Sequence, residues 1–316
     1  MNKPRDPALT SATVPPVASP MAAGGVARSW WIAGTPFLFV FLWSTGFIVA
    51  KYGLPYAPPL TFLLLRFAGV LAVLLPLVLL MRAPWPHGQK WHIAVSGVLM
   101  HAGYLVGVWC AIGLGMPAGV SALIIGLQPI VTAFSAPLIG ESVRARQWIG
   151  FVFGLGGVAL VVANKITLIG LSWESIAFGT FGMLCITIGT LYQKRFCPQF
   201  DLRTGTVIQF AASFVVVLPF AIVFESFSPA LQTVSWTPQF IGAMLWSVLA
   251  MSIGAIFLLF ALIRKSAATS VSSLMYLTPP TTALMAWAMF GEAFSLIGII
   301  GMLLAVIGVA FVVKKQ

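Results

Sequence analysis

Charge is what this sequence has least of. Seventeen Lys and Arg and six Asp and Glu are all that 316 residues carry, 7% of the chain, where a soluble domain carries about 25%. So little charge cannot cover a water-facing globule of this size. The net charge of +11 does not point to nucleic acid either, because a phosphate-binding face needs clustered cations and these are spread along the chain. Cysteine is scarce too. Cys110, Cys185 and Cys197 have no metal-ligand spacing, so neither a disulfide nor a metal site is expected. No Walker or GxGxxG loop, HExxH or GxSxG is found, which argues against an ATP-driven pump or an intramembrane hydrolase, and no cofactor or catalytic set is expected.

What is present is apolar surface. The chain is 60% hydrophobic with a mean hydropathy of +1.03, and its apolar runs match the roughly 20 residues a helix needs to cross a bilayer. Residues 1–29 are rich in Ala, Pro, Ser and Thr and read as a disordered tail rather than a cleaved signal peptide. Ten apolar spans succeed it at about 34–52, 59–81, 92–112, 118–139, 147–164, 172–193, 204–224, 238–262, 267–290 and 295–313. Seven Trp (Trp30, Trp31, Trp85, Trp91, Trp148, Trp173, Trp236) fall at span ends, where an amphipathic ring prefers the headgroup layer. Between spans, fourteen Lys and Arg collect on one side and only Lys51 and Lys165 on the other. The positive-inside rule then puts both termini in the cytoplasm, and a bacterial cytoplasmic (inner) membrane is the expected location.

The ten spans are two sets of five. At an offset of 151, residues 118–162 lie over 269–313 with thirteen of 45 positions identical, among them Pro129, Gly140, Glu141, Gly150 and Gly157. At an offset of 143, Gly46, Lys51, Pro55, Phe67 and Pro76 find the same residue at Gly189, Lys194, Pro198, Phe210 and Pro219. Because five is odd, equivalent spans cross in opposite directions, which is the inverted repeat common in secondary transporters. The expected architecture is therefore an all-α polytopic membrane protein of ten transmembrane helices in two inverted repeats, residues 34–164 and 172–313.

Those same residues carry a resemblance. Pro129, Gly140-Glu141, Gly150 and Gly157-Val158, repeated as Pro280, Gly291-Glu292, Gly301 and Gly308-Val309, resemble the EamA domain of the drug/metabolite transporter superfamily. Leu42-Trp43-Ser44 with Lys51, and Leu65-Arg66-Phe67, are similar to the opening of that domain. The resemblance implies a ten-helix bundle around a central cavity lined mainly by spans 1, 3, 4, 6, 8 and 9, moving small metabolites, often outward. The chain departs from a doubled pattern at Gln209, which stands where the first half has Arg66.

Pro129 and Pro280 fall near the middle of spans 4 and 9, where a missing N–H frees a backbone carbonyl. Such breaks either bind substrate, with Gln128, Tyr276 and Thr278 beside them, or are packing kinks; both readings stay open. Trp43 and Thr45 in span 1, His101 and Tyr104 in span 3 and Trp246 in span 8 add polar-tipped rings that would suit an amphipathic solute. Arg66 lies seven residues into span 2, about 10 Å deep at 1.5 Å per residue. There it needs a partner, and a structural contact with Glu292 is expected, with anionic substrate capture as the rival. Glu141 and Glu292 close spans 4 and 9 and read as end-of-helix fixtures that bond the backbone of the following span. Proton coupling stays open, with His101 and these two glutamates as candidates. Gly150 and Gly154 in span 5, with Gly301 and Ala305 in span 10, form small-xxx-small pairs expected to pack as scaffold.

The function expected is a secondary transporter, an exporter of small organic metabolites such as amino acids, with the bilayer and a small-molecule substrate as partners. The alternative is a membrane-embedded enzyme using His101 and a motif Glu.

Overall fold

The structure, a computed structural model, describes residues 25–135, 145–169, 171–227, 234–254, 258, 278–293 and 295–313. The chain divides into a unit of residues 1–34 and a main unit from residue 35 onward, and the second holds the helix bundle. The described residues are helical, without a strand. In chain order the helices are α1 (Gly25–Gly53), α2 (Pro59–Leu80), α3 (Lys90–Gly113), α4 (Ala118–Ile125), α5 (Gln128–Phe134) and α6 (Ala145–Ile169). Then come α7 (Trp173–Phe196), α8 (Leu202–Glu225), α9 (Pro238–Gly254), α10 (Thr278–Phe290) and α11 (Leu296–Val313). Four of them, α2, α3, α7 and α8, are 22 to 24 residues long and apolar enough to cross a membrane. Trp91, Trp148, Trp173 and Trp236 are all exposed near helix ends.

Helix starts obey local chemistry. Pro59 and Pro238 occupy opening positions where a missing N–H costs nothing, and Thr237, Ser172 and Asp201 accept from the backbone N–H of Phe240, Ser175 and Arg203. Arg203 also donates to the Asp201 carboxylate at 3.1 and 2.7 Å, which holds that carboxyl below the usual carboxylate range. The start of α2 is capped from a distance. Glu225, the last residue of α8, accepts from the N–H of Leu60 at 2.8 Å, the N–H of Thr61 at 2.7 Å and the Thr61 hydroxyl at 2.9 Å. A carboxylate there meets orphan donors and the positive end of the helix dipole together. Glu225→Ala is expected to lower apparent stability by about 1–3 kcal/mol, read as a fall in the melting temperature of purified protein in detergent.

Span 4, expected as one helix over 118–139, is broken. α4 ends at Ile125 and α5 begins at Gln128, so Pro129 sits in the first turn of a new helix. Both third-span helices of the repeats carry a π-helical stretch, Val98–Gly103 in α3 and Trp246–Gly254 in α9. Each displaces the side chains beyond it relative to those before.

The two halves meet where equivalent residues touch. Phe67 of α2 and Phe210 of α8, mates at the offset of 143, pack edge to face with ring centroids 5.7 Å apart. A pseudo-two-fold axis therefore passes between these helices. α6 and α11 form the other matched pair. A Cβ on Gly301 would come within 2.7 Å of the Gly157 carbonyl, and one on Gly308 within 2.6 Å of the Gly150 carbonyl. The small residues singled out in spans 5 and 10 thus face each other, joined by Gly157 and Gly308, and Ala305 is 3% exposed. Backbones this close derive their attraction from van der Waals contact.

Candidate functional site

Two buried polar pairs cross between the halves near that axis. The first begins at Arg66, 5% exposed, whose Nε and Nη2 donate to Ser252 Oγ at 3.1 and 3.0 Å. Ser252 Oγ in turn donates to the Ser247 carbonyl at 2.9 Å. The expected contact of Arg66 with Glu292 is thereby corrected: the partner is a neutral serine on the π stretch of α9. The two salt bridges among the described residues are Lys51 with Glu292 and Arg203 with Asp201, so Arg66 has no carboxylate partner among them.

The second pair begins at Gln209 on α8. Its Oε1 accepts from His101 Nε2 at 3.3 Å, and its Nε2 donates to Ser96 Oγ at 3.2 Å and Gln193 Oε1 at 2.9 Å. The His101 ring stacks on Phe210 with centroids 4.4 Å apart. Tyr104, one helical turn on and 8% exposed, lies within electrostatic reach of Arg66, as does His101. The two pairs are equivalent. Gln209 is the mate of Arg66 at 143, and Ser252 is the mate of His101 at 151, the latter offset also aligning Ser96 with Ser247, Met100 with Met251 and Gly103 with Gly254. Extending the larger offset back into the third span exposes Ser252 as the partner; the depth of Arg66 in its own span does not.

The other candidates divide. Thr45 and Trp246 are brought together, with Trp246 Nε1 donating to Thr45 Oγ1 at 2.9 Å, while Trp43 packs on Phe39 with centroids 5.7 Å apart. Ser44 Oγ donates to the Thr278 carbonyl and Thr282 Oγ1 to the Ser44 carbonyl, both at 3.5 Å, which ties α1 to α10. The buried hydroxyl of Thr278 has no hydrogen-bond partner among the described residues. Gln128 Nε2 donates to Thr190 Oγ1 of α7 at 3.3 Å. Pro280 lies in the first described turn of α10. Glu141 and Tyr276 fall outside the described residues.

Among the described residues Glu292 bonds no backbone group of the span after it, the role its place at the end of span 9 suggests. It reaches instead to the other half: Oε1 accepts from Lys51 Nζ at 2.5 Å and from the backbone N–H of Ala118, at the start of α4, at 3.1 Å. The reason is the left-handed Gly291, φ +65°, which ends α10 and turns the next residue across the bundle. Engaged this way, Glu292 is not in a catalytic pair with His101.

Comparison with known proteins decides the family. Residues 30–163 and again 173–314 match the EamA-like transporter family. The chain belongs to that family. It is 28% identical to the transporter YvbV of Bacillus subtilis over 88% of this chain and 90% of that one. It is 25% identical to the inner membrane transporter YedA of Escherichia coli over 83% and 84%. A probable amino-acid metabolite efflux pump of Salmonella typhimurium is 27% identical over 58% of this chain and 60% of its own length. A solved crystal structure superposes with a TM-score of 0.60 at 20% identity, over 88% of this chain and 94% of that one, and shows the shared fold alone. As an EamA-family protein the chain is an integral membrane transporter rather than an enzyme, and the membrane-enzyme alternative is set aside.

Proposed function

We propose that this EamA protein is a secondary carrier which moves amino acids or similar small amphipathic carboxylates outward, by alternating access of its two inverted repeats. The membrane is a bacterial cytoplasmic one and both termini face inward, as the distribution of Lys and Arg supports. The observation that carries the substrate class is Arg66, a buried cation in a membrane-spanning helix with a neutral serine as its hydrogen-bond partner. A bare charge in hydrocarbon is costly and is kept where it binds something. A planar guanidinium suits a carboxylate in particular, because its donors match two oxygens at once. The aromatic and hydroxyl groups of Trp246, Thr45 and Thr278 supply an amphipathic setting for the rest of the solute. A relative's description as an amino-acid metabolite efflux pump agrees in kind.

The test is counterflow in liposomes holding purified protein. A labelled amino acid is expected to accumulate in vesicles preloaded with the same unlabelled amino acid, across a panel of hydrophobic and aromatic members. The corresponding amines, which lack the carboxylate, should compete at least tenfold less well. Equal competition by amine and amino acid would remove Arg66 from substrate recognition.

A further inference from the structure

Two close-packed helix pairs part at the end of the bundle where Glu292 lies. In the first pair, a Cβ on Gly119 of α4 would stand 3.2 Å from the Ala283 Cα of α10. The second is α6 with α11, touching through Gly157 and Gly301. Deeper in the bundle α6 presses on span 4, since a Cβ on Gly154 would run into Ile130 of α5. Nearer the end that pressure is gone. A Cβ on Gly298, in the first turn of α11, would meet only the Ser295 hydroxyl of its own turn within 4 Å among the described residues.

The wedge between the pairs is an open cavity of about 420 Å³. Val120 and Leu123 of α4, Ala283 of α10, Val161 of α6 and Met302 of α11 make its walls apolar, and Glu292 is the charged residue that lines it. Leu123 lies five residues into α4 and Met302 six into α11, so the cavity descends about 8 Å from the helix ends at 1.5 Å per residue. Its floor is at the depth of acyl chains. On the same two helices Leu284 of α10 and Leu296 and Ile300 of α11 are exposed, as side chains that meet lipid are.

At the rim the charges come as a pair. Glu292 Oε1 takes the Lys51 ammonium and the Ala118 N–H, while Oε2 carries no hydrogen bond among the described residues. Lys51 directs one of its three donors to Glu292 and is 33% exposed. An anionic acceptor and a cationic donor therefore stand side by side above an apolar wedge.

We propose that this cavity is a site for one phospholipid whose headgroup carries both a phosphate and a primary ammonium. One acyl chain fills the wedge, the phosphate accepts from Lys51 and the ammonium donates to Glu292 Oε2. Hydrogen bonds between charged groups are about twice as strong as neutral ones, and here they set the selectivity. A choline head has no N–H for the carboxylate, and a glycerol head brings a phosphate to Lys51 but no cation to Glu292. The site uses neither Arg66 nor its neighbours, so it stands whatever solute the carrier moves.

The test follows the melting temperature of full-length, delipidated protein in detergent as single phospholipids with matched chains are added. A ligand of the folded state raises that temperature. Phosphatidylethanolamine is expected to raise it by about 5 °C, and to act at concentrations about fivefold lower than phosphatidylcholine or phosphatidylglycerol. Glu292→Gln should bring the ethanolamine and choline lipids level, whereas Gly298→Phe, which fills the wedge, should weaken all three alike. If Glu292→Gln folds poorly, the parent reads the same contact through the N-methyl and N,N-dimethyl forms of the ethanolamine lipid, whose effect should fall stepwise toward that of the choline lipid. Equal shifts from the three lipids in the parent would mean general solvation and overturn the proposal. So would an ethanolamine preference that survives Glu292→Gln, or shifts unchanged in Gly298→Phe. Dodecylamine giving the full shift by itself would also overturn it, by assigning the cavity to simple amphipathic cations.

Discussion

Arg66→Gln is expected to abolish most transport while leaving the protein as stable as the parent or more so. The two effects have opposite origins. Removing one member of a buried, hydrogen-bonded charge pair costs about 2–5 kcal/mol, so if the substrate carboxylate is the second member its apparent affinity should fall roughly thirtyfold or further. In the structure, however, Arg66 is held against a neutral serine, and replacing a poorly compensated cation by an amide relieves a desolvation cost. Gln209 shows that an amide is accommodated at the equivalent place. Binding of a labelled amino acid measured beside the melting temperature separates the cases. A variant that melts well below the parent and binds normally would make Arg66 a structural residue and nothing else. Arg66→Lys should fall between, because a point charge lacks the two-oxygen fork.

The second large effect is on folding. Gly157→Leu should reduce the yield of folded protein to a small fraction of the parent's, because a side chain at that position is met by main chain and not by a movable side chain. The Ala305 N would stand 2.5 Å from its first atom and the Leu304 Cβ 3.0 Å. Overpacking a core that can adjust costs about 1–3 kcal/mol, and a helix backbone adjusts less. Gly156→Leu is the control: nothing lies within 4 Å of the Cβ it would gain, so it should fold normally. Monodisperse protein recovered by size-exclusion chromatography reads the difference, and equal recovery of the two variants would deny the α6–α11 contact.

How much the chain alone reveals depends on how local each signal is. The duplication and the break before Pro129 depend on residues within a few positions, or on one fixed offset; the first is met by the doubled family match and the second by the gap between α4 and α5, while parts of spans 4 and 9 lie outside the described residues. Pro129 removes a donor whatever surrounds it. The π stretches leave no such mark, because one extra residue per turn in a segment apolar on all sides leaves it apolar on all sides. The partners of Arg66 and Glu292 are hidden for a different reason: each lies in the other repeat, so finding it means combining two offsets with a knowledge of which spans cross. Depth alone pairs the buried cation with the acid, but Glu292 already has a lysine from the adjoining helix end.

The contact between Phe67 and Phe210 has a consequence for how much the two halves are free to differ. A position that packs against its own equivalent would, in an assembly of two identical half-chains, be forced to be self-complementary, as in any isologous dimer. Every group near the axis would then occur twice, and Arg66 would bring a second buried guanidinium close to the first. Covalent duplication lifts that restriction. One copy can keep the cation and the other carry Gln209, so a single charge serves the centre of the molecule and the halves stay alike in shape but unlike in electrostatics.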